Sequence, residues 1–296
     1  MIASSAPGLR LRPLPLSELA DETFRIYRRR FPLMFGLSLI LLVPLLAIQL
    51  LTGQGRQQGA AFGLLRHLGD PSAVNQYALT TGSTDPAVLI IGSILVLVIT
   101  LALAPLTTGA LIQAALDAIE GVPSSLTGVL RRTLSRYPAL TGVMLALFGA
   151  SLVALCLVGI WALVGWLVAI PVLLEERVGP GGALARSWHL IRGRWWRTFG
   201  ILVVLYLLVS VVSTTVSSFI FLILALPGLS NEVVGTAAIV VSTLVNAVLA
   251  PVWAVAITLI YFDLRVRVEA IDLQLLAMEA SAKVAPQPVA GSSWPR

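Results

Sequence analysis

Five stretches of this chain, 31–55, 86–116, 137–174, 198–231 and 233–262, contain no Asp, Glu, Lys, Arg or His. Each is longer than the roughly 20 residues a helix needs to cross the core of a bilayer. A soluble chain of this length could bury a good core, but its surface would still need charge. Here only 11% of residues are charged and 57% are hydrophobic, against about 25% charged in soluble domains. The uncharged runs therefore predict an all-α, polytopic membrane protein. The run at 137–174 has room for two short spans with a turn around Val158 and Gly159. Six spans are expected in all, at 32–52, 87–110, 139–157, 160–175, 199–225 and 235–261, the fourth being the shortest.

Charge placement decides between six spans and five. With six, every Arg and Lys of the 20 present lies on one side except Arg56 and Arg66. Such asymmetry marks the cytoplasmic face, so both termini are expected inside the cell. Five spans would place Arg265 and Arg267 outside and lose this agreement. The net charge of +6 calls for no nucleic acid, because the basic residues flank span ends, where anionic headgroups are the nearest partner.

Three junctions between basic and apolar segments align without a gap. Arg30, Phe31 and Gly36 match Arg136, Tyr137 and Gly142, and again Arg194, Trp195 and Gly200. Each returning span also carries a proline in an apolar setting, Pro105, Pro171 and Pro251, where the missing N–H kinks a helix. The pattern predicts three parallel repeats, each an interfacial amphipathic helix feeding a helical hairpin, related by an axis along the membrane normal.

The remaining segments are shorter. Residues 1–13 are expected to be flexible, and Arg10 and Arg12 before an acidic-basic helix argue against a signal peptide. Ser17 is expected to cap a helix running to about Arg30, with Leu16, Leu19, Ala20, Phe24, Tyr27 and Phe31 on its apolar side. Residues 53–85 form an external loop with a short helix at 60–67, and 227–234 closes the third hairpin outside. Residues 262–280 read as another surface helix and 281–296 as a disordered cytoplasmic tail, leaving 14–280 as one membrane domain.

Reactive groups are sparse. Cys156 is alone and lies in a span, so no disulfide or cysteine metal site is expected. His67 and His189 fall on opposite sides of the membrane, and no metalloprotease, phosphate-loop or CxxC motif occurs. No enzyme activity and no cofactor are expected. Asp117, Glu120, Glu175, Glu176 and Asp263, at cytoplasmic span ends, are expected to pair with nearby arginines. The most polar midplane residue is Asn246. It has Ser242 and Thr243 beside it, and Ser210, Ser213, Thr214, Thr215, Ser217 and Ser218 in span five. These either pack helices by hydrogen bonding, the commoner case, or line a groove for a substrate.

The cytoplasmic layer is the strongest functional candidate. Arg186, Trp188, Arg192, Arg194, Trp195 and Arg197 combine forked phosphate donors with rings that favour the headgroup zone, and Tyr261, Asp263 and Arg265 end span six at the same depth. Phospholipid headgroups or a membrane protein partner are the expected ligands. A permease or exporter of a lipid-like or small amphiphilic solute is the alternative, to be recognised by a polar cavity in place of a packed centre.

Three places in the chain resemble the glycerophosphodiester phosphodiesterase membrane-domain family. They are Arg12-Pro13-Leu14-Pro15-Leu16-Ser17-Glu18-Leu19 with Thr23-Phe24-Arg25-Ile26-Tyr27-Arg28; Pro171-Val172-Leu173-Leu174-Glu175 with Ala183-Leu184-Ala185-Arg186-Ser187-Trp188 and Arg192-Gly193; and Tyr261-Phe262-Asp263-Leu264-Arg265-Val266-Arg267. The resemblance implies a polytopic bacterial inner-membrane protein. Some members place a catalytic phosphodiesterase domain after this one. The histidine and metal-binding carboxylate set of that domain is absent here, so the family name implies no activity for this chain.

Overall fold

A computed structural model describes residues 15–56, 58–59, 86–153, 157–224 and 229–269. The expected flexible start, the helix at 60–67, Cys156, part of the 227–234 link and everything after Glu269 lie outside these residues. Among the described residues all regular structure is helical. In order it comprises α1 (Leu16–Arg29), α2 (Phe31–Leu51), α3 (Pro86–Ile119), α4 (Leu126–Ser135), α5 (Tyr137–Val153), α6 (Leu157–Gly165), α7 (Ala169–Glu175), α8 (Pro180–Ile191), α9 (Trp195–Leu224) and α10 (Asn231–Glu269). Four stretches, Phe31–Leu51, Ile90–Ile119, Trp195–Phe219 and Asn231–Glu269, are long and apolar enough to cross a membrane. Two further apolar stretches, Tyr137–Ser151 and Gly159–Glu175, are shorter.

Local chemistry explains the breaks. α1 has Glu18 in its first turn and Arg28 and Arg29 in its last, the arrangement a helix dipole favours. Pro32 cannot donate to the preceding turn, so the chain kinks at Arg30 before α2. Ser125 caps α4, its Oγ accepting from the Gly128 N–H at 3.2 Å. Gly193, at φ 85°, takes the left-handed position after α8 that a side chain would disfavour.

Three expectations about elements change. α1 begins at Leu16 behind Pro15, with no side-chain cap, because the Pro15 carbonyl takes the Leu19 N–H and puts Ser17 inside the first turn. Its buried face is Leu19, Thr23, Ile26 and Tyr27, while Phe24 is exposed. The stretch 160–175 is broken at 166–168 into α6 and α7, since Pro171 supplies no N–H to Leu167 and the Gly165 carbonyl turns aside to accept from Ser187 Oγ at 2.9 Å. Residues 262–269 are no separate surface helix: they continue α10 without interruption. Asp263 and Arg267 pair one turn apart there, and no Gly or Pro occurs between 252 and 269.

The long helices have two unlike halves. α3 and α10 hold 34 and 39 residues, about 51 and 58 Å at 1.5 Å per residue, well beyond a hydrocarbon core of about 30 Å. At one end Ile90, Ile91, Ile94, Leu97 and Val98 of α3 are exposed, as are Val233, Leu244 and Val248 of α10 and most large residues of α9 from Val203 to Ile223. At the other, Leu111, Ile112, Leu116, Leu173, Val255, Leu259, Ile260 and Leu264 form a continuous buried core. Each such side chain withdrawn from water contributes roughly 1.5–3 kcal/mol, so the packed half carries most of the folding energy.

That half is built cyclically. α3, α7 and α10 pack on one another at its centre, while α4 lies on α3, α8 on α7 and α1 on α10. Three hydrogen bonds follow the same order. Tyr137 Oη donates to the Ala102 carbonyl at 2.9 Å, Trp195 Nε1 to Trp161 at 3.2 Å and Tyr27 Oη to Val248 at 2.8 Å. Ala102 and Val248 each lie three residues before a proline, Pro105 and Pro251, so the tyrosine hydroxyls bond carbonyls next to the breaks those prolines leave in the helix ladder. The junction glycines have a related role. A Cβ on Gly36 would meet Leu126 Cδ1 at 3.6 Å, and one on Gly142 would meet Pro180 Cγ at 3.0 Å. Both neighbours are first residues of the next amphipathic helix; Gly200 faces open space among the described residues.

Candidate functional site

The ends of α3, α7 and α10 converge in a layer of ion pairs. Asp263, 2% exposed, accepts from Arg197 Nη1 at 2.6 Å and from Arg267 Nε at 2.9 and 3.0 Å. Asp117, 1% exposed, accepts from both ends of the Arg132 guanidinium at 3.0 and 2.5 Å and from Gln113 at 3.0 Å. Arg186 bridges Glu176, at 3.1 Å, and Glu269. Arg265 reaches Glu175 at 3.7 Å, Glu269 at 3.1 Å and Tyr261 Oη at 3.2 Å, and Tyr261 Oη in turn contacts Glu176 at 3.2 Å. Asp117, Glu175, Glu176 and Asp263 thus pair with arginines, as their positions predict, while Glu120 has no ion pair among the described residues.

Glu120 behaves differently. Burial raises its carboxyl pKa, as do the Glu175 charge, a hydrogen bond shared with Glu175 and the Asp117 charge, with Arg132 pulling the other way. No group of three or more metal-ligating side chains occurs among the described residues.

The structure brings most of the nine candidate residues into this layer but gives them internal partners. Arg186, Arg197, Asp263, Arg265 and Tyr261 are consumed as above, and Arg194 donates to the Arg267 carbonyl at 3.2 Å. Trp195 is buried, stacked on Trp161 at 4.3 Å and on Phe199 at 5.1 Å. Trp188 lies over Gly165, where a Cβ would strike its ring. Arg192 alone of the nine is an exposed cation with no ion pair among the described residues. Arg28, Arg29, Arg131 and Arg177 share that state, and Trp196 presents an exposed ring.

A second feature lies between α2, α3, α9 and α10, where the exposed and packed halves meet. It is a half-open cavity of about 660 Å³, within the range of ligand pockets. α3 packs on α2 and α10 and α9 packs on α10, while α3 and α9 barely touch each other, so they leave an opening between them. Apolar walls come from Leu42, Leu45, Leu111, Ile112, Val209, Leu249 and Ile257. Polar groups come from Ser38, Gln49, Thr107, Thr108, Tyr206, Ser210, Ser213, Ser242, Thr243, Asn246 and Trp253.

Of the polar residues singled out in the sequence, Ser210, Ser213, Ser242, Thr243 and Asn246 line this cavity, while Thr214, Thr215, Ser217 and Ser218 do not. Gln49, Tyr206 and Trp253 were missed, although Gln49 is the first amide in the first uncharged run. Also missed was the interval from Pro105 to Asp117, repeated from Pro251 to Asp263, which marks the two buried aspartates.

Residues 169–264 match a family model described as a domain of unknown function, DUF7847. No curated protein and no solved structure matches the chain. The matched region runs from the start of α7 into the last turns of α10. It therefore holds the Tyr261–Asp263 end of the ion-pair layer and the α9–α10 wall of the cavity.

Proposed function

We propose that this chain is a non-catalytic, six-span protein of a bacterial inner membrane, both termini cytoplasmic, that takes a lipid-like amphiphile into the groove between α2, α3, α9 and α10. The reading includes kinship with the glycerophosphodiester phosphodiesterase membrane-domain family, through its membrane part. In it α2–α3, α5 with α6–α7, and α9–α10 are three hairpins in a ring. The cyclic packing of α1, α4 and α8 supports this, as do the three hydrogen bonds that follow the same order. The exposed half lies in the bilayer and the packed half at its cytoplasmic side, where Arg28, Arg29, Arg131, Arg177 and Arg192 meet headgroups.

The observation that carries the function is the half-open, partly polar cavity at the depth of the spans. A purely structural bundle would close it with side chains. The headgroup-binding or partner-binding reading of the arginine layer is second, because Arg186, Arg197 and Arg265 are already engaged by carboxylates; Arg192 and its four exposed companions favour it.

Two measurements test the proposal. In a Cys156→Ser background, a cysteine at Asn75 should label from outside and one at Gln287 should not; labelling from the same side refutes the topology. A phospholipid carrying a photoreactive group in its tail should crosslink to peptides 107–112 and 206–213, and Ser213→Trp, which fills the groove, should abolish that crosslink. Crosslinks confined to the outward face at 90–98 would refute the groove as a binding site.

A further inference from the structure

Any pocket at the depth of lipid tails must account for each hydrogen-bonding group it exposes, because tails offer no partner. Part of the lining is neutralised internally. Ser38, Thr107, Ser210 and Ser242 donate to the carbonyls of Met34, Leu103, Leu207 and Ile239 on their own helices. Another part is not. The side chains of Gln49, Thr108, Tyr206, Ser213, Thr243 and Trp253 have no hydrogen-bond partner among the described residues. They project from four helices and together offer an amide, a phenol, an indole N–H and three aliphatic hydroxyls.

Charge is missing from the same lining: it contains no Asp, Glu, Lys, Arg or His. Every described arginine lies outside the lining. An ionised phosphate drawn into the groove would lose its hydration without gaining a counter-charge, which is strongly unfavourable in a low-dielectric site. A hydroxyl or amide headgroup loses far less and recovers it through the unpartnered donors and acceptors. The apolar walls and the opening between α3 and α9 suit a tail that stays partly in the bilayer.

We infer that the groove selects a lipid with an uncharged, hydroxyl-bearing headgroup, of the diacylglycerol or long-chain alcohol class, and excludes lipids whose headgroup carries an ionised phosphate. The inference rests on the amphiphile reading of the groove given above.

The test uses the full chain in nanodiscs and two probes with the same photoreactive tail, one a diacylglycerol and one a phosphatidylglycerol. Diacylglycerol should label peptides 107–112 and 206–213 about tenfold more than phosphatidylglycerol does, and both should label the outward face at 90–98 alike. The triple variant Gln49→Leu, Tyr206→Phe, Thr243→Val should cut groove labelling by diacylglycerol by about tenfold and leave labelling at 90–98 unchanged, the latter serving as its folding control. Equal or stronger groove labelling by phosphatidylglycerol, or a triple variant that labels like the parent, overturns the headgroup inference while the amphiphile reading stands. No groove labelling by either probe above that at 90–98 overturns both, and leaves the cavity a water-filled gap.

Discussion

Asp263→Asn is the sharpest probe of the packed half. The carboxylate is almost fully buried and takes bonds from two guanidinium groups, Arg197 and Arg267. Asparagine keeps its shape but removes the charge, and turns an N–H₂ group toward donors. Hydrogen bonds to charged groups contribute about 1.5–3 kcal/mol each. The lower figure applies here, because the arginine side chains are 32% and 26% exposed and recover some water when released. Two partners then give a loss of about 3 kcal/mol, which for a domain of 150–250 residues lowers Tm by roughly 6–12 °C. The assay is thermal loss of the monodisperse peak in mild detergent, with insertion checked separately. The three-residue replacement Asp263→Leu, Arg197→Met, Arg267→Met should recover most of the loss, since removing all partners leaves no uncompensated charge. An Asp263→Asn protein within about 1 °C of the parent would refute the assignment of stability to this cluster.

Three smaller tests follow. Tyr137→Phe should cost about 1 kcal/mol in the same assay, because the Ala102 carbonyl beside the Pro105 kink loses its donor. Gly235→Val should sharply reduce folded yield, since its side chain would meet the backbone of Gly55 and Gly59, which cannot yield; Gly200→Val, facing open space, should leave yield unchanged. Glu120 has a raised folded-state pKa, so its charged form costs stability above that value, and the cost fades as pH falls toward the unfolded value. Glu120→Gln should therefore raise Tm at neutral pH, and melts across a pH series should show the gain vanishing by about pH 4.

The sequence made the helical, membrane-inserted character plain because uncharged runs have few alternatives once backbone groups must be satisfied without water. Arg30, Arg136 and Arg194 located the three junctions, and the structure places a helix start after each. The half-and-half character of α3 and α10 was not legible, since Leu and Val read alike whether they face lipid tails or protein. The expected span 235–261 falls wholly within α10, and its residue types gave no mark of where the exposed part gives way to the packed core beyond Pro251. The aromatic partners at Ala102, Trp161 and Val248 were equally hidden, as a carbonyl acceptor carries no side-chain signature. For the candidate site, residue type pointed to the layer where these side chains gather but not to the partners they find there. Arg197 looked available for phosphate because Asp263 lies 66 residues away, on a helix whose register only the folded chain reveals. Arg186 and Arg265 are each held both by a near neighbour, Glu176 or Glu269, and by a distant one, Glu269 or Glu175.

α10 joins the glycine crossing at Gly235 to the ion pairs at Asp263 and Glu269 as one uninterrupted rod, with Pro251 as its weak point. That makes it a lever. Eighteen residues separate the proline from Glu269, about 27 Å of helix, so a change of about 10° at the kink would swing the far end about 5 Å. Arg186 and Arg265 hold Glu269 within reach of a single salt bridge, a tolerance far smaller than that arc. Whatever fills the groove beside Ala250 and Trp253 must therefore fit the bend as it stands or else unlatch the arginine clasp at the other end.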